Sequence, residues 1–179
     1  MRDSYGPDCA VLFAFSPEEA TQLRRGLLEM GCDESIMPVY DVASMLPLDE
    51  GTTAAAKRAV LNARVGQLVM QLATASGLPQ QAVGGAAREG PGPADDLLCS
   101  SSSSALKVML ISGLSAEEIQ EVAALLADTF PAPGGRYSSV VLASLVPNNV
   151  ETRVEDFLLE LTNDYWENVA SMLRPSGRD

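Results

Sequence analysis

The sequence predicts an α/β fold in which two pseudo-symmetric βαβα units share one four-stranded sheet with helices packed on it. Three observations lead there. Apolar runs of strand length alternate with stretches of helical periodicity. The order strand, serine cap, helix occurs twice, at residues 11–19 and 110–118, with Ser16 and Ser115 99 positions apart. Later, Val42-Ala43-Ser44-Met45-Leu46-Pro47 is echoed by Leu142-Ala143-Ser144-Leu145-Val146-Pro147 at an offset of 100. The repeated order reads as an internal duplication, against the alternative that small strand–helix units share a hydrophobic rhythm by chance.

Each element has a local reason. Residues 9–15 and 106–112 are short, apolar and β-branched, which suits strands. A helix start follows each, with Ser16 or Ser115 at the N-cap and Glu19 or Glu118 three residues on. That spacing is a capping box, in which serine and glutamate satisfy each other's orphan backbone N–H groups. Leu23 and Leu27 then supply one core face, and Ile119, Val122, Leu125 and Leu126 the other. Gly31 ends the first helix, and a loop over residues 131–135 follows the second. Second strands are expected near 36–46 and 137–146, with Pro38 pushing the former to a late start or a sheet edge. One long helix then closes each unit. The first is capped by Thr52 or Thr53, runs to about residue 75 and carries Leu61, Val65, Leu68 and Leu72. The second is opened by Asn149 or Thr152 and carries Val154, Leu158, Leu161, Tyr165, Val169 and Met172.

The expected organisation is thus a first unit at 8–76, a linker at 77–105 and a second unit at 106–174. The linker is rich in Gly, Pro, Gln and Ser and ends in five serines at 100–104, a composition too polar to offset the entropy of ordering it. Asp95 and Asp96 before those serines leave phosphorylation as an alternative to plain linker.

Composition narrows function. The chain has 179 residues, 24 acidic and 12 basic, and a net charge of −12. Its two lysines, Lys57 and Lys107, are no footprint for a nucleic acid or an anionic membrane. With no histidine, the commonest general base and metal ligand are missing. Cys9, Cys32 and Cys99 are widely spaced, fit no zinc pattern and are odd in number, so a reducing intracellular compartment is expected. Residues 1–8 resemble neither a signal nor a transit peptide, and no run has transmembrane length.

The second unit resembles a small bacterial and plant-type domain family of unknown function, number 3783. The resemblance rests on Gly113-Leu114-Ser115-Ala116-Glu117-Glu118, the strand Val140-Val141-Leu142-Ala143, the turn Pro147-Asn148-Asn149, and Val154 with Phe157-Leu158-Leu159-Glu160-Leu161. It spans about residues 106–162 and extends weakly to the first unit, where Pro47 persists but Leu48 and Asp49 replace the asparagines. It implies a fold without an activity. Its plant side alone raises a plastid stroma beside the cytoplasm.

No phosphate loop, dinucleotide fingerprint or nucleophile triad is present. The pairs Glu18-Glu19 and Glu117-Glu118 belong to the caps, and Asp33-Glu34, Asp49-Glu50 and Glu155-Asp156 read as solvated surface. No catalytic, cofactor or metal-binding residue is therefore expected. Pro147, Asn148 and Asn149 are either a helix-entry turn or, at the carboxyl end of a strand, a contact site. Trp166, beside Tyr165, is either core or an exposed anchor. Residues 1–90 carry 11 acidic and 7 basic side chains, and residues 91–179 carry 13 and 5. The more acidic second half suits a protein partner with a basic surface. The expected function is a non-enzymatic scaffold or assembly protein acting through protein–protein contacts. The alternative is a small-ligand regulatory domain with its site between the two repeats.

Overall fold

The structure is a computed structural model that describes residues 5–47, 50–74, 98, 106–132 and 138–173. Four strands and six helices follow one another in the described chain. They are β1 (Cys9–Phe13), α1 (Pro17–Glu29), β2 (Val39–Asp41), α2 (Val42–Met45), α3 (Glu50–Asn62) and α4 (Val65–Ala73), then β3 (Lys107–Ser112), α5 (Ala116–Thr129), β4 (Val140–Ser144) and α6 (Val154–Leu173). The α/β class expected from the sequence is the one observed. The sheet order is β2-β1-β3-β4, with β1/β2 and β3/β4 parallel and the central β1/β3 pair antiparallel.

The alternation of β1 explains the layers. Cys9, Val11 and Phe13 face one core with Leu68, Leu72, Val154 and Leu158, under α3, α4 and α6. Ala10 and Leu12 face the other, with Leu23 and Leu27 of α1 and Val122 and Leu126 of α5. Every residue of β1 is buried because both faces are covered, so its sequence is uniformly apolar. The halves meet closely on the α1/α5 side. A methyl at Gly26 would lie 2.7 Å from Leu125 Cδ1, and Phe15 meets Phe130 edge to face at 5.9 Å.

Both capping boxes form. Glu19 N–H donates to Ser16 Oγ at 3.2 Å and Ser16 N–H to Glu19 Oε2 at 3.0 Å, while the Ser115/Glu118 box has 3.4 and 2.7 Å. Gly31, at φ +88°, terminates α1. Ala14 and Gly113, again 99 positions apart, are both left-handed, at φ 62° and 81°. In the central pair Val11 opposes Leu110, also 99 apart.

Four expectations need correction. The echo of Ala-Ser-x-x-Pro is not structural: Val42–Met45 is helix α2, whereas Leu142, Ala143 and Ser144 lie in strand β4. Strand β2 is cut to three residues because the Asp41 carboxylate accepts from Ala43 N–H at 3.1 Å and starts a helix there. The helix expected to run to about residue 75 is broken into α3 and α4 at Ala63 and Arg64. There Arg64 bridges to Arg153, and Val154 N–H donates to Ala63 C=O at 2.9 Å. The break leaves the apolar stripe in phase, so periodicity does not reveal it. Finally, Leu98 of the expected linker is fully buried in the α4/α6-side core. The remaining linker residues, including Cys99 and the five serines, lie outside the described residues.

Candidate interaction surface

Asn149 is committed to its own turn. Its Oδ1 accepts from Val146 N–H at 2.9 Å, and its Nδ2 donates to Ser144 C=O at 2.9 Å. The turn then feeds α4, whose N-cap Arg64 offers no side-chain bond. Val150 C=O accepts from Gly66 N–H at 3.0 Å and Thr152 C=O from Val65 N–H at 2.9 Å, satisfying two orphan donors of that helix. A Cβ at Gly66 would fall 2.1 Å from Val150 Cγ2, so this approach requires glycine. Pro147 and Asn148 sit exposed at the tip of the turn.

Trp166 is elsewhere. It lies twelve residues into α6, about 18 Å along the axis from the helix start at 1.5 Å per residue. The turn and the tryptophan are separate features of the second half, the one before α6 and the other about three turns into it. Trp166 is 53% exposed and leans edge to face on Tyr165, with centroids 5.3 Å apart.

Around it, α6 changes character. Val154, Phe157 and Leu158 are buried, but the continuation of their stripe, Leu161, Tyr165 and Val169, is only half-buried. Asp156, Glu160, Asp164 and Glu167 form an exposed acidic row on the face away from that stripe, with Trp166 between the two, about 100° of helical turn from each. The helix carries five acidic and no basic residues. Like charges four apart repel, and acids in the C-terminal half oppose the helix dipole. The i, i+4 and i, i+3 spacing of these acids is legible in the sequence, whereas bulk charge carries no record of it.

Other reactive groups are committed to structure. Burial pushes the Cys9 thiol up to about 11, with the Asp8 carboxylate adding to the rise, which leaves it a protonated core residue. Asp41 caps α2, and its carboxyl is raised by burial against the pull of its hydrogen bonds. Asp33 is lowered by the Ser35 hydroxyl and amide, which donate to it. Its neighbour Glu34 pairs with Arg24 at 2.9 Å. Glu155 was expected to be solvated; it is 8% exposed and pairs with Arg153 at 3.0 Å, because the first turn of α6 packs beside α3. No group of carboxylates and thiols suited to a metal occurs among the described residues. No helix there is long and apolar enough to cross a membrane.

One open cavity of about 350 Å³ lies against α1 and the α1–β2 connection, lined by Leu27, Leu28, Cys32, Met37 and Val39. It sits in the first half and not between the halves. Arg24 borders it with its guanidinium committed to Glu34 and to Val39 C=O, the latter at 3.1 Å.

Compared with protein-family models, curated proteins and solved structures, the chain matches none.

Proposed function

We propose that this chain is a non-enzymatic assembly or scaffold protein that works through protein–protein contacts, with a partner presenting a basic surface. The carrying observation is the outer half of α6. An exposed tryptophan stands between a half-buried apolar stripe and four aligned carboxylates, without a single base on the helix. Sequences tolerate a local conflict of this kind where it serves binding. A partner with Lys and Arg around an apolar socket relieves the repulsion and covers Trp166. Tryptophan is a typical anchor of such contacts, and truncating one commonly costs 2 kcal/mol or more, about thirtyfold in affinity. Asn148 and Pro147, exposed at the tip of their turn, extend the same reading to a second, smaller contact.

The test compares capture from a native extract by the immobilised full chain and by Trp166→Ala. The proposal expects proteins held at low ionic strength by the wild type, released by added salt, and lost with Trp166→Ala while its circular dichroism is unchanged. If the variant captures the same set, or if the wild type holds nothing at low salt, the proposal fails.

A further inference from the structure

The two edges of the sheet differ. Leu145 N–H donates to Ile111 C=O at 2.8 Å, so by alternation Val141 and Ala143 direct their backbone groups at β3, and Val140, Leu142 and Ser144 direct theirs outwards. Two of the outward groups are already satisfied. Val140 N–H donates to Ser138 Oγ at 3.0 Å, and Ser144 C=O accepts from Asn149 Nδ2 at 2.9 Å. Val140 C=O, both groups of Leu142 and Ser144 N–H have no partner among the described residues. At the opposite edge, β2 is three residues long and its outward Val39 C=O is closed by Arg24 at 3.1 Å.

We propose that the β4 edge is a self-association site, with β4 of a second copy of this chain as its occupant. The open groups are palindromic about Leu142. With two β4 strands antiparallel and Leu142 opposite its counterpart, the two leucines exchange both bonds, and each Ser144 N–H meets the other copy's Val140 C=O. All open groups are then satisfied, in four bonds, and the ladder also brings each Val140 N–H to the other copy's Ser144 C=O, where it exchanges the bonds to Ser138 and Asn149 for a direct one. Charge at this edge permits the same occupant. A chain of net charge −12 repels its copies, yet residues 137–150 contain no charged side chain in a sequence that is 20% charged. The edge also lacks the lysine or proline that commonly blocks such strands, and Val141, Leu142 and the 41%-exposed Val146 border it with apolar surface. The fold already uses this geometry once, where β1 and β3 join two parallel pairs through an antiparallel seam. Pairing at β4 continues the sheet to eight strands. The proposal uses a different surface from α6 and does not rest on the Trp166 contact proposed above.

The test is sedimentation of the full chain across a concentration series, combined with hydrogen exchange resolved at Leu142 and Ser144. The wild type should approach twice the monomer mass of 18.9 kDa, with both amides protected more as concentration rises. Leu142→Pro removes an outward N–H while leaving every bond to β3, and should sediment as a folded monomer. Ser144→Glu places two added charges in the seam and should weaken dimerisation at least tenfold. If Leu142→Pro does not fold, Ser144→Glu and the exchange data decide alone. A wild type that stays monomeric, or a dimer whose Leu142 and Ser144 amides exchange at the monomer's rate, overturns the proposal. So does a dimer that Ser144→Glu leaves intact.

Discussion

Replacing Gly66 by alanine should destabilise the fold although it improves helix propensity. Alanine in place of glycine within a helix gains about 1 kcal/mol on intrinsic grounds. Here the new methyl would sit 2.1 Å from Val150 Cγ2 and 3.1 Å from Val150 C=O, inside the 3.4 Å at which ordinary contact begins. Val150 is β-branched and resists rotation, and its carbonyl is the acceptor of Gly66 N–H at 3.0 Å. The turn must therefore move. Overpacking of this kind costs about 1–3 kcal/mol, and loosening the hydrogen bond adds about 1. Net destabilisation of about 1–3 kcal/mol follows. The diagnostic is a double-mutant cycle with Val150→Ala, which removes the offending methyl. In urea titrations followed by circular dichroism, the double variant should be more stable than the sum of the single effects by about 1–2 kcal/mol. A Gly66→Ala protein at or above wild-type stability, or strictly additive effects, would refute the steric account of how the turn holds α4.

Two further outcomes are expected. At the paired left-handed positions, Gly113→Ala should cost about 3 kcal/mol or more, because its φ is +81° and its Cβ would meet Asp8 Oδ1 at 2.1 Å and Asp8 Cα at 2.7 Å. Ala14→Gly should cost less than about 1, since relief of left-handed strain offsets the lost methyl and added chain entropy; urea titration of both variants checks the contrast. Asp41→Asn keeps an oxygen for Ala43 N–H but cannot ionise. The unfolded carboxyl titrates near its ordinary value of 3.8 while burial holds the folded one higher, so the unfolded state loses its proton first and wild-type stability falls as pH rises through that window. Asn should therefore raise the melting temperature relative to wild type at neutral pH and lose that advantage below 3.8, and an equal change at both pH values would contradict the burial account.

Local chemistry made the scaffold legible. The Ser-x-x-Glu spacing is a property of one helical turn, so both capping boxes could be read without knowing what surrounds them. The apolar stripes of α1 and α5, and the strands before them, follow from periodicity alone. The same locality misled at Ala-Ser-x-x-Pro. One string forms a helix after Asp41 and a strand beside β3, because the carboxylate cap decides the first and the parallel ladder the second.

The sequence by itself determined the α/β class, the position of the caps, the scarcity of catalytic groups and the acidic charge. These depend on residue identity and on spacings within a turn or two. The tertiary structure alone decided the strand order, the break between α3 and α4, the burial of Leu98 and the separation of Trp166 from the asparagine turn. It also decided which outward backbone groups of β4 have no partner among the described residues and which are closed by Ser138 and Asn149. Each of these depends on the direction a backbone group or side chain takes once distant segments pack, and composition and periodicity carry no record of that.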